Sequence, residues 1–210
     1  MRYRILGCVV AIGLANPLFA EDKKPPAGPS AEPKGTPVEL AITGKKTTYT
    51  LDTGGLSSAD YKKAILVAAK DGGKPLPAPI IELTATLKNI GDKPIKVCTA
   101  GDAVVMTLEL KGEGALNGVG SNKLFTTEYR FPTAVELAPG KTTEIPLKSL
   151  NHGFRSASYA SYWTAPGEYE LVVKLKTGVT PKPDGAEVRD GYGQVTLTSA
   201  PFKLTVEAKK

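Results

Sequence analysis

The side chains able to do chemistry are few and far apart. Downstream of the first 20 residues there is one cysteine, Cys98, and one histidine, His152. A thiol beside an imidazole base is a nucleophilic pair. Here Ile95-Lys-Val-Cys98 reads as a short apolar strand that buries its thiol, Asn151-His-Gly153 reads as a turn, and no carboxylate is spaced to orient the ring. Asp92 and Asp102 flank the Cys98 strand, but without a compact run of alternating Asp and Asn ligands they read as turn residues and not as a calcium site. Gly112, Gly114, Gly118 and Gly120 follow a strand, open no helix and lack the Lys-Ser/Thr pair of a phosphate loop, so they read as a flexible strand connection. No catalytic set, metal or cofactor is expected.

One segment has the composition of a recognition surface. Phe154-Arg-Ser-Ala-Ser-Tyr-Ala-Ser-Tyr-Trp163 places Tyr159, Tyr162 and Trp163 close together among serines. Rigid amphipathic rings of this kind make contacts in recognition loops and stack on sugars. The same rings also close the end of a β-sandwich core without any ligand, and Tyr169 is placed to hydrogen-bond back to the backbone as a tyrosine corner.

The elements that must position these residues read as strands. Residues 1–20 carry the marks of a secretory signal: Arg2 and Arg4, an apolar stretch over 5–14, and Pro17-Leu-Phe-Ala20 before Glu21-Asp22. The apolar stretch is shorter than the roughly 20 residues a membrane-spanning helix needs, and Cys8 precedes most of it, which disfavours lipidation. The mature chain is therefore expected outside the cytoplasm, periplasmic or extracellular, with no transmembrane segment. Loss of the two arginines leaves 25 basic against 21 acidic residues, a net charge of +4. The lysines are scattered and lack interleaved aromatics, which argues against nucleic-acid binding.

Residues 21–37, rich in proline and without core-forming side chains, read as a disordered leader. Val38, Leu40 and Ile42, then Gly44-Lys-Lys, then Tyr49 and Leu51 read as an N-terminal β-hairpin. Ser57-Ser58 caps one short helix whose inward set is Tyr61, Ala64, Ile65 and Ala68. From Ile80 onward alternating sets recur: Ile81, Leu83, Ala85 and Leu87; Ile95 and Val97; Val104, Met106, Leu108 and Leu110; then strands over 124–131, 135–137, 143–147, 169–175, 195–197 and 202–206, with 179–193 a long loop. Many short strands without intervening helices predict an all-β, immunoglobulin-like antiparallel sandwich over residues 38–207.

The order Leu83-Thr-Ala-Thr-Leu-Lys-Asn89, Gly91-Asp-Lys-Pro-Ile95, Leu137-Ala-Pro-Gly140 and Pro166-Gly-Glu-Tyr169 resembles bacterial immunoglobulin-like modules of the CARDB and BsuPI-like proteinase-inhibitor types. Ala59-Asp-Tyr-Lys-Lys63, Leu76-Pro-Ala-Pro79, Ala100-Gly-Asp102, Leu110-Lys-Gly-Glu-Gly-Ala115 and Tyr162-Trp-Thr resemble a set of exported planctomycete proteins. The resemblance implies a scaffold and carries no catalytic residues over; no cysteine pair brackets the tryptophan as in antibody domains. The expectation is an exported non-catalytic module that binds or spaces a protein or glycan of the cell envelope. The alternatives are a proteinase inhibitor using exposed loops at 111–123 and 179–193, and a carbohydrate-binding module using Tyr159, Tyr162 and Trp163.

Overall fold

The computed structural model describes residues 28–70, 76–120, 128–154 and 157–209. The signal peptide expected over 1–20, and residues 21–27 of the leader, lie outside the described residues. In chain order the elements are β1 (Ser30–Glu32), β2 (Val38–Gly44), β3 (Thr48–Leu51), α1 (Ser58–Ala68), β4 (Ile80–Asn89), β5 (Ile95–Ala100), β6 (Val105–Lys111), β7 (Ala115–Gly120), β8 (Thr133–Leu137), β9 (Thr142–Ser149), β10 (Asn151–Phe154), β11 (Ala157–Trp163), β12 (Gly167–Thr180), β13 (Val188–Arg189), β14 (Tyr192–Thr198) and β15 (Phe202–Ala208). Among them no helix is long and apolar enough to cross a membrane.

The core is an immunoglobulin-like sandwich. One sheet has the order β2-β4-β9; the other contains the run β8-β5-β12-β14. Strict alternation is the cause of the two faces. On β4 the side chains of Ile81, Leu83, Ala85 and Leu87 are buried while Glu82 and Lys88 are exposed; on β12 Tyr169, Leu171, Val173, Leu175 and Val179 are buried. These inward sets merge into one cluster, and sheets that bury one face each against the other satisfy both.

The strand β12 organises the larger sheet. It is 14 residues long, and β15 then β14 follow one another along one edge while β6 then β5 follow along the other. At both transitions a hydroxyl takes over from the backbone ladder. Ser199 Oγ accepts from the Val173 N–H at 3.0 Å, and Thr177 Oγ1 donates to the Cys98 carbonyl at 2.6 Å. Both hydroxyl residues are buried, so these bonds satisfy backbone groups that water cannot reach.

The turn motifs hold each other. Buried Asn89 donates through Nδ2 to the carbonyls of Lys93 and Leu137, and its Oδ1 accepts from the Gly91 N–H, each at 2.9 Å. Its backbone closes on the other motif, Asn89 N–H to Lys141 carbonyl and Gly140 N–H to Asn89 carbonyl. At the opposite turn the Tyr169 hydroxyl donates to the Ala165 carbonyl at 2.6 Å, the tyrosine corner expected of Pro166-Gly-Glu-Tyr169.

A second group of strands extends the larger sheet as β12-β6-β10-β11-β7. It folds back on itself: the Asn117 side-chain amide replaces a backbone rung, accepting from the Leu110 N–H at 2.9 Å and donating to the Leu110 carbonyl at 2.7 Å. The helix α1, capped by Ser57, seats Ile65 against Val119, Ala160 and Tyr162 of this group.

Several expectations change. The hairpin over Val38–Leu51 does not form, because β2 pairs with β4 in one sheet and β3 pairs in parallel with β15 in the other. Order begins before Val38: β1 pairs with β14, and Thr36 is buried. Of the strand expected over 124–131, residues 128–131 have no strand pairing and the rest lies outside the described residues. The glycine-rich stretch contains β7, paired with β11, and the Asn151-His-Gly153 turn is the strand β10. The loop over 179–193 contains a hairpin whose tip is Asp190-Gly191, with φ of +54° and +81°. Two consecutive positive φ values are the signature of a type I′ turn, for which Asp-Gly is suited.

Candidate functional site

The aromatic trio is divided by the fold. Tyr162 is wholly buried in the cluster under α1, with its hydroxyl donating to the Leu76 carbonyl at 2.6 Å. Trp163 is 4% exposed and belongs to the main core, its ring 5.4 Å from Tyr49 and 6.5 Å from Tyr169. Only Tyr159 remains half-buried, beside the His152 ring at 6.0 Å. A sugar-stacking platform needs exposed ring faces, so Tyr159, Tyr162 and Trp163 do not make one: these side chains, read from the sequence as a contact surface, are in two cases core.

Cys98 and His152 are likewise separate. Cys98 lies on β5, fully buried, with burial raising its thiol pKa. A Cβ at Gly178 would stand 2.7 Å from Tyr192 Cβ and 3.1 Å from Cys98 Sγ, so glycine there lets Tyr192 pack across β12 toward the thiol. His152 lies on β10; its Nε2 is 3.4 Å from Ser161 Oγ, and burial lowers its pKa. Ser161 is fully buried and already donates to the Leu108 carbonyl at 3.1 Å. That hydroxyl has neither an open approach nor a free proton direction, so the pair reads as a satisfied core contact. Asp92 and Asp102 sit beyond opposite ends of β5; the Asp102 carboxylate accepts from the Arg130 N–H at 3.2 Å, a contact that ties the turn after β5 to the segment before β8.

Of the exposed large hydrophobics, which are spread over the described residues, Tyr129 and Phe131 are held together. At one end of the sandwich the turn after β5, residues 128–132 and the tip of the β13–β14 hairpin come together. Asp102 N–H donates to the Arg130 carbonyl at 3.0 Å, and the Tyr129 hydroxyl donates to the Asp190 carboxylate, which also pairs with Arg189 at 3.6 Å. The Asp190 carboxylate, as acceptor, raises the Tyr129 pKa. The hairpin tip holds the Tyr129 hydroxyl, the turn after β5 holds the backbone of its neighbour Arg130, and Tyr129 holds Phe131 edge-on at 5.4 Å.

Phe131 is 82% exposed, the largest exposure among the large hydrophobics described, and Val188 beside Arg189 is 64% exposed. An aromatic ring held out on a rigid support, with arginines and carboxylates around it, has the anatomy of a protein contact: an apolar centre inside a polar rim. Alternation over 124–131 predicts a strand ending at Phe131, which hides it in the sequence. The available signal was Tyr-Arg-Phe-Pro132, where proline breaks the alternation and leaves the aromatics outside any ladder. No protein-family model and no curated protein matches this sequence.

Proposed function

We propose that this chain is an exported, non-catalytic β-sandwich module that binds a protein component of the cell envelope through the end of the sandwich built around Tyr129 and Phe131. The observation that carries the reading is the exposed Phe131 ring, fixed by Tyr129 and Asp190. Loops gathered at one end of a sandwich and steadied by the sheets are where immunoglobulin-like domains make their contacts. The signal-like residues 1–20 support the periplasmic or extracellular location.

The carbohydrate reading loses two of its three rings to the core. The inhibitor reading gains nothing from 181–187, which is folded on itself: Ala186 N–H bonds to the Pro183 carbonyl, Lys182 Nζ to the Ala186 carbonyl, and Ala186 is buried. A proteinase cleft takes an extended strand.

The test is a photo-reactive benzoylphenylalanine in place of Phe131 in the exported protein, with one in place of the exposed Lys141 as control. Specific crosslinks from position 131 alone are expected. Equal labelling from both positions, or none, rejects this end as the binding surface.

A further inference from the structure

The hairpin tip that holds Tyr129 on one side covers Cys98 on the other. Cys98 is fully buried yet belongs to neither core cluster. Ile95 and Val97 point into the main core, so the strand period turns Cys98, next to Val97, to the outer face of β5. Cover on that face comes from Tyr192: a Cβ at Gly178 would meet Tyr192 Cγ at 3.2 Å and Cys98 Sγ at 3.1 Å. Burial raises the thiol pKa, and the negative charge of Asp190 adds to the rise.

The tip is lightly held. The ladder between β14 and β12 ends at Gly193, and β13 pairs with β14 and with no other strand among the described residues. Val188, Arg189, Asp190 and Gly191 are all exposed. A segment with so little buried surface belongs to the part of a fold that opens most readily. Tyr192 against Gly178 and the Asp190 carboxylate on the Tyr129 hydroxyl tie it down.

The other side of that hydrogen bond is firmly seated. Arg130 exchanges bonds with Asp102 through its N–H and its carbonyl, and a Cβ at Gly101 would stand 2.5 Å from the Phe131 carbonyl oxygen. The Tyr129 hydroxyl therefore joins a fixed segment to a loose one.

We propose that the hydrogen bond from Tyr129 to Asp190 is a latch: closed, it keeps the hairpin tip down over Cys98 and the Tyr129 ring edge-on to Phe131; open, it frees tip and ring together. This rests on the reading of the Phe131 end as a binding surface and adds its regulation. A partner that takes the Tyr129–Phe131 pair in its fixed geometry favours the closed tip, and by linkage the closed tip favours the partner.

Cys98 reports the state of the latch, because a thiol reagent reaches it only when Tyr192 lifts. Tyr129→Phe removes the latch hydroxyl and keeps the ring. Asp190→Gly removes the carboxylate and suits the positive φ of that turn position. Labelling of Cys98 by an aromatic disulfide reagent is compared with the unfolding rate of each protein. The parent is expected to label no faster than it unfolds. Both variants should label about tenfold faster than the parent, the effect of losing one charge-assisted hydrogen bond, with the urea midpoint nearly unchanged. Ile65→Val, which loosens the cluster under α1, lowers the midpoint while its labelling still tracks unfolding.

Labelling that tracks unfolding in both latch variants overturns the proposal, as does a parent that labels faster than it unfolds. Benzoylphenylalanine at position 131 tests the coupling: Tyr129→Phe should reduce its crosslinks severalfold, and crosslinks that stay unchanged reject the link between latch and partner. If position 131 crosslinks nothing even in the parent, the binding reading falls, and the latch itself is decided by the labelling rates.

Discussion

The Asn89 side-chain amide donates to the Leu137 carbonyl at 2.9 Å inside the core, tying the last residue of β4 in one sheet to the last residue of β8 in the other. The same side chain bonds Lys93 and Gly91, so one buried amide fixes a turn and joins two sheets. Asn89→Ala leaves the Gly91 N–H and two carbonyls without that partner. The expected cost is about 2–4 kcal/mol, read as a lower urea midpoint with little change in slope. Asn89→Asp should cost a similar amount, because a carboxylate accepts but does not donate. A loss under about 0.5 kcal/mol for both variants would show that the sheets hold without this link.

Trp163 reports on the main core, and Cys98 on the buried contact beneath Tyr192. Trp163 is packed among Tyr49 and Tyr169, and Cys98 lies under Tyr192 with its thiol pKa raised by burial. In the folded protein a neutral quencher should leave the tryptophan emission almost unchanged, and a thiol reagent should label Cys98 only at the rate of unfolding. Polysaccharides should not shift the emission. Labelling within the mixing time under native conditions would mean that the Tyr192 side of the sheet opens locally.

The strands were legible where alternation alone decides the outcome. Ile81, Leu83, Ala85 and Leu87 face one way because the strand period is two, and Tyr169 makes its corner because Pro166-Gly-Glu sets the turn before it. Alternation assigns faces, however, and not partners. Val38, Leu40, Tyr49 and Leu51 are all buried as expected, yet β2 and β3 enter different sheets, since a partner is selected by packing of distant segments. The site failed for a related reason. Tyr162 and Trp163 have the composition of contact residues, but they are neighbours on β11, so the strand period turns their rings to opposite faces, Tyr162 with Ala160 into the cluster under α1 and Trp163 into the main core. Residue type states what a ring is able to do; only the fold states whether its face is free.

On α1 adjacent residues have opposite roles. Ile65 is 0% exposed against Val119, Ala160 and Tyr162, while Leu66, one position on, is 41% exposed. Ile65→Ala should destabilise by about 2–4 kcal/mol, the range for truncating a buried aliphatic side chain. Leu66→Ala should remain within about 0.5 kcal/mol of the parent. Thermal or urea unfolding of the pair decides it, and equal effects would mean that α1 is not seated on the β7–β11 face through Ile65.

His152 makes stability depend on mild acid. Its ring lies beside Tyr159 and Ser161, and burial holds its pKa below the ordinary 6.5. Below about pH 6.5 the unfolded chain therefore takes up a proton that the folded chain still refuses. The unfolded state binds more protons in that window, so this residue's contribution is present above pH 6.5 and is lost as pH falls through the folded value. His152→Gln removes the titration while leaving a polar side chain near Ser161. Urea midpoints of the two proteins at pH 7.5 and pH 5.5 (solution conditions chosen to bracket about 6.5) should show a steeper acid loss for the parent. The carboxylates are common to both, so the difference isolates the imidazole; parallel losses would mean that His152 charges as freely in the fold as outside it.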